Sequence, residues 1–187
     1  MGFEREGQSD TPHAQEGVAV LWRSSSLRVS LKGELRVHGS PKDKAALLLV
    51  LRDTRASEYG PRLALVCAQL GGEGSRRAAQ LRELLAAMTT NLAHIPEVPV
   101  MLCANLGGPL EDEMQALVQD FGFTSAWESL HGQAADPCGE SGIRIWLRGR
   151  LWPQSLALLP RDGRDPDPWR ELSNHRPILS SFRWPEG

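Results

Sequence analysis

The amino-acid sequence predicts a layered α/β or α+β domain, and three observations carry that expectation. Residues 45–51, 63–68 and 98–104 are nearly uninterrupted apolar runs of strand length, the pattern of strands buried on both faces. Between the second and third runs, Leu81, Leu84, Leu85, Met88 and Leu92 recur at helical spacing with Arg77, Arg82 and Glu83 off that stripe. The elements then follow in the order strands, helix, strand, helix, strands, which suits a sheet with flanking helices. At 187 residues, 41% hydrophobic and 24% charged, the chain has the length and composition of one globular domain.

Taken from the start, residues 1–16 read as a polar leader and residues 17–187 as the domain. The leader carries Glu4, Arg5, Glu6, Asp10 and Glu16 with no apolar stretch, so an ordinary secretory signal is not expected and retention inside the cell is. Cytoplasm and organelle stay equally open. The longest apolar run, 45–51, is far short of the roughly 20 residues needed to span a bilayer as a helix. Residues 17–23 and 27–31 flank Ser24, Ser25 and Ser26, and the second segment alternates apolar with polar, so a hairpin is expected there. Gly60 and Pro61 mark a turn between the two buried strands at 45–51 and 63–68.

Pro96 and Pro99 close the first helix's exit, and Gly107, Gly108 and Pro109 precede a second helix running to Gln119. Pro109 suits its first turn, and Glu111, Asp112 and Glu113 complement its dipole. A short helix is expected at 125–130, a loop at 131–142, strands at 143–147 and 156–159, an exposed loop at 161–170 and a closing strand at 177–183.

The three cysteines, Cys67, Cys103 and Cys138, show no Cys-x-x-Cys spacing, so neither a zinc knuckle nor a disulfide framework is suggested. Cys67 and Cys103 end apolar runs and read as small core residues. The formal net charge of −2 gives no general attraction for nucleic acid and leaves only local patches to supply one. Arg76 and Arg77 open the first helix, where positive charge opposes the dipole at about 0.3–1 kcal/mol. That placement invites an anionic contact, phosphate or carboxylate, with a solvated pair as the alternative. The loop Gly71-Gly72-Glu73-Gly74 lacks the lysine of a phosphate-binding loop.

The stretch Val98-Pro99-Val100-Met101-Leu102-Cys103-Ala104-Asn105-Leu106-Gly107-Gly108-Pro109 resembles the strand and turn of the endonuclease/exonuclease/phosphatase superfamily, particularly its deadenylase and nocturnin-like branch. There a buried strand ends in Gly-Asp-Phe-Asn or Ala-Asp-Leu-Asn. Other landmarks fall in the same order: 16–22 is similar to the family's glycine-then-strand hairpin, Lys42-Asp43-Lys44 to its Lys-Asp-Asn, and 63–70 to its Asn-Thr-His-Leu strand. Arg77-x-x-Gln80-Leu81 is similar to its Arg-x-x-Gln helix, and Ser173-Asn174-His175-Arg176-Pro177 to its Ser-Asp-His. The resemblance implies the C-terminal half of the family's four-layer sandwich.

The resemblance also implies which groups would do chemistry, and most are replaced. Asn105 stands at the signature Asp, Gly107 at the signature Asn, and Gln69 at the histidine of the Thr-His-Leu strand. Arg144-Ile145-Trp146 echoes an Asp-Tyr-Ile strand with a guanidinium for the carboxylate. His175 survives, but its orienting Asp is Asn174; the analogous change in a serine protease triad costs about 10⁴ in rate. The family's metal-binding Glu would lie ahead of Gly17. Gln69, Asn105, Gly107, Asn174 and His175 are therefore vestigial candidates, with no cofactor or metal ligand assigned.

The expected role is a non-catalytic subunit whose bare sheet face is covered by other proteins, in a larger assembly of the ribonucleoprotein or organellar kind. Trp146, Trp152 and Trp184 are candidate anchors for such contacts. Two alternatives stand beside it: a Mg²⁺-dependent nuclease or phosphatase completed by another chain, and an RNA- or nucleotide-binding module.

Overall fold

The computed structural model describes residues 3–7, 18–37, 44–57, 60–71, 74–132, 142–159 and 177–183. Its centre is a six-stranded mixed sheet in the order β3-β4-β5-β6-β8-β7, flanked by two separate two-stranded sheets, β1-β2 and β9-β10. In chain order, β1 is Phe3–Gly7, β2 Ala19–Arg23, β3 Leu27–Val37, β4 Lys44–Asp53 and β5 Arg62–Gln69. Helix α1 (Gly74–Leu92) leads to β6 (Val100–Asn105), then α2 (Asp112–Asp120), β7 (Thr124–Ser125) and α3 (Ala126–His131). The last strands are β8 (Ile143–Arg148), β9 (Trp152–Leu158) and β10 (Ile178–Arg183).

Among the described strands of the central sheet, β5 and β6 are the parallel pair, and α1 makes the crossover between them. Both strands are internal, so their residues are apolar on either side and the runs look continuous. On one face Leu48 and Val50 of β4, Ala64 and Val66 of β5, Val100 and Leu102 of β6 and Trp146 of β8 meet the stripe of α1. Met114, Leu117 and Val118 of α2 complete that core. Leu81, Leu84, Leu85 and Met88 are fully buried, as the spacing predicts. Burying each such side chain is worth about 1.5–3 kcal/mol.

On the opposite face the second layer is divided. Val20 and Trp22 of β2 pack on Leu47, Leu49 and Leu51 of β4. At the other edge Ala126 of α3, Leu156 of β9 and Phe182 of β10 cluster with Met101, Ile145 and Leu147.

The expected hairpin at 17–31 is corrected in its partners. Both strands and the serine turn form, but β2 pairs with β1 and β3 pairs with β4, both antiparallel. The turn instead leans on β4: Thr54 donates its backbone N–H to Ser26 O at 2.9 Å and its hydroxyl to Ser25 O at 3.0 Å. Pro109 precedes α2 rather than lying in its first turn, because Glu111 is the N-cap and Asp112 the first helical residue. Asp112 and Glu113 do occupy the first turn. Strand β9 begins earlier than the apolar pattern suggests, taking in Pro153, which a two-stranded edge tolerates opposite the irregularity at Ser181/Phe182. The predicted loop at 161–170 lies outside the described residues, as does most of that at 131–142.

Candidate functional site

The carboxyl ends of the parallel pair β5 and β6 are where an open α/β sheet places its crevice. Gln69 and Asn105 are register partners there, so the two strands end on the same row. Leu70 N–H donates to Asn105 O at 2.7 Å, carrying the ladder one residue past the strands. The Asn105 side chain folds back on its own turn, its Oδ1 accepting from Gly107 N–H at 2.9 Å. Asn suits that turn because its short side chain mimics a backbone acceptor.

Glycines let the loops close. Gly107 has φ +69°, which a β-carbon disfavours. Gly142 has φ +72°, and a Cβ there would collide with the backbone of Gly108. Leu106 N–H donates to Gly142 O at 2.8 Å, tying the β6 loop to the start of β8.

Helix α1 braces the same loops from beneath. Gln80 is buried and its Oε1 accepts from Gly71 N–H at 3.0 Å. The Arg77 side chain is 8% exposed and its Nη2 donates to Glu111 Oε1 of the α2 cap. Its Nη1 lies so near Gly108 that a Cβ there would collide with it. The Arg77-x-x-Gln80 spacing therefore puts both polar groups on one face, each tied to one loop. Glu111 spends its carboxylate on Arg77, which accounts for a cap residue with no side-chain bond to the helix.

The residues that the sequence nominates thus separate. Gln69, Asn105 and Gly107 come together, and Asn174 and His175 lie outside the described residues. Arg76 and Arg77 are neighbours in sequence but not in environment: Arg76 is exposed while Arg77 is buried. The anion opposite Arg77 is a carboxylate of this chain. Arg144 is buried on β8, its Nη1 donating to Ile143 O at 2.9 Å. Of the tryptophans, Trp146 is a core residue, Trp152 is 41% exposed beneath Arg183, and Trp184 is outside the described residues. Gln80, Glu111 and Gly142 build the site without announcing that role in the sequence; the Arg-x-x-Gln spacing is the one signal that points toward it.

Magnesium takes hard oxygen donors and is held by carboxylates together with phosphate and water. The row at the strand ends offers neutral amides. Of the acids opening α2, Glu111 is engaged with Arg77, and Glu113 lies 3.4 Å from Arg82. Among the described residues no three of His, Cys, Asp and Glu group where they could hold a metal. The donors among the described residues do not fit the ion.

Comparison with solved structures identifies the fold. The human Nocturnin catalytic domain with bound sulfate superposes with a TM-score of 0.75 at 18% identity, over 98% of this chain and 73% of that one. The chain has the endonuclease/exonuclease/phosphatase fold. A humanized D. rerio TDP2 follows with a TM-score of 0.68, 18% identity, and 97% and 75% of the two chains covered. An endonuclease/exonuclease/phosphatase family protein from Bacteroides thetaiotaomicron gives 0.66 at 12% identity, over 84% and 64%. No family model matches the sequence, and no curated protein matches it. Within this fold, the row that ends β5 and β6 is uncharged in this chain. No helix among the described residues is long and apolar enough to cross a membrane.

Proposed function

We propose that this chain is a non-catalytic structural or interaction subunit of a larger assembly, ribonucleoprotein or organellar, built on a nuclease/phosphatase-like fold. The observation that carries this reading is the Gln69–Asn105 row. The side chains that end the parallel strands are amides, and Asn105 uses its oxygen to cap a turn. An amide in that position neither bears charge near neutral pH nor takes a proton from water. Arg77 and Glu111 neutralise one another beside it, so the guanidinium charge is already engaged by a carboxylate of this chain, although Arg77 Nε and Gln80 Nε2 stay buried without a hydrogen-bond partner.

The second support is the divided outer layer. Leu63, Leu65, Cys67, Cys103, Ile143 and Ile145 are only partly buried on that face. Together they make an apolar strip of the kind that marks association. A protein partner lying along the strip is the role that its chemistry favours.

Sedimentation and affinity recovery from the chain's own cells test the subunit role. A defined complex is expected, dispersed by Leu65→Lys while circular dichroism stays native. A stable monomer with no partner would sink the reading.

A further inference from the structure

Cys67 and Cys103 are 36 positions apart in the sequence, yet the register of β5 and β6 makes them direct neighbours. Side chains of parallel register partners project from the same face. The row across that face is Leu47, Cys67, Cys103 and Ile145, two residues back along the strands from Gln69 and Asn105. The thiols lie within hydrogen-bonding reach of each other. They occupy the seam of the divided layer, Cys67 against the β2 cluster and Cys103 against the α3, β9 and β10 cluster. Both are half-buried and unbridged.

We propose that Cys67 and Cys103 form a redox-modifiable dithiol that reacts with small disulfides of the glutathione class and closes to a reversible intramolecular disulfide. Neighbouring strands stand about 4.8 Å apart. That spacing falls within the Cα range a disulfide spans, so the bond is formable between these strands. A bridge that small thiols can reach is the kind readily reduced again. The pair also has an internal division of labour. The hydrogen bond from Cys103 holds the Cys67 thiol below its ordinary value. The same bond, with burial, pushes Cys103 well above its own. The hydrogen bond thus favours Cys67 as the sulfur that opens the reaction, with Cys103 beside it on the same row to resolve it.

In the first step the Cys67 thiolate attacks one sulfur of the small disulfide. That S–S bond breaks, a mixed disulfide forms on Cys67, and the released thiolate takes a proton from solvent. Cys103 then loses its proton to solvent, and its sulfur attacks Cys67 Sγ. The second small thiolate leaves and is protonated. Two protein thiols are oxidised by two electrons, and one small disulfide is reduced to two thiols.

The dithiol lies in the apolar strip of the proposed function but two residues from its amides, and because the chain is tested without a partner, failure of the thiol chemistry and failure of partner recovery are read separately. The test uses the full chain carrying Cys138→Ser, so that these are its only thiols. It is equilibrated with oxidised and reduced glutathione, quenched in acid, alkylated and weighed intact. Both thiols are expected to vanish together, with the mass falling by two hydrogens and no glutathione attached, and to return in excess reduced glutathione. Adding Cys103→Ser should stop the reaction at one glutathione on Cys67. The wild-type chain, cleaved at aspartates to separate Cys103 from Cys138 and then at Arg76, Arg77 and Arg82, should give the peptides of Cys67 and Cys103 joined to each other and released by reduction. Thiols that survive the oxidising mixture, separate adducts on both cysteines, or disulfide-linked dimers would overturn the proposal.

Discussion

On the helix-covered face of the central sheet, Leu48, Val66 and Leu102 lie beneath Leu81, Leu84 and Leu85 of α1, and all six are fully buried. On the other face Leu65, Cys67, Cys103 and Ile145 belong to the same strands and their neighbour β8, yet they are only partly buried, against two small sheets that share no strand pairing among the described residues. Strand composition is alike on the two sides; what differs is the layer laid over it. The closed face holds the fold together, and the open one is where binding or modification has room to act.

Cutting into each face measures that contrast most strongly. Leu84→Ala or Leu102→Ala should cost about 2–5 kcal/mol in denaturant unfolding. Leu65→Ala, whose site is already part-wet, should lose less than half of that. Equal losses would mean that the outer face is as tightly closed as the inner one.

The loops over the strand ends sharpen the comparison, because helices hold them from the closed side. Gly142→Ala meets both a positive φ and the backbone of Gly108, so a loss of about 1–3 kcal/mol is expected from thermal unfolding. Glu111→Gln leaves the buried Arg77 charge without its partner and should cost about 1–2 kcal/mol, with Arg77→Met restoring most of it in the double variant. If the single change were silent, the pair would not be what braces α1 to α2.

The smallest effect belongs to Asp53, the last residue of β4. Arg55 holds its carboxyl below the ordinary value of 3.8 by a side-chain hydrogen bond. A carboxylate lowered on folding adds stability above its unfolded value, and that increment is lost as pH falls through the folded one. Being solvent-screened, it should leave unfolding of Asp53→Asn and wild type nearly indistinguishable at pH 7. A difference comparable to that of Glu111→Gln would contradict the screening.

Much of the architecture is legible in the sequence where a period reports burial directly. Helix α1 repeats its apolar residues every three or four positions, and β4, β5 and β6 are apolar throughout because one face is fully buried and the other is partly covered. Strand partners are not legible, since alternation fixes which face a residue takes but not which strand lies beside it. That is why the pattern pairs β2 with β3, and why Cys67 and Cys103 read as two unrelated core residues. In the candidate site, the neutral identities of Gln69 and Asn105 are plain from the resemblance. The bracing by Arg77 and Glu111 is not, because the partners are 34 residues apart and only packing of α1 against α2 joins them.

The most direct measurement of the central claim is turnover by the purified full chain with Mg²⁺, using oligoadenylate RNA, single-stranded DNA and a phosphomonoester. Because the strand ends present amides and a self-paired Arg77–Glu111, wild type should match buffer, and His175→Ala should change nothing. Magnesium-dependent hydrolysis abolished by His175→Ala would contradict the account.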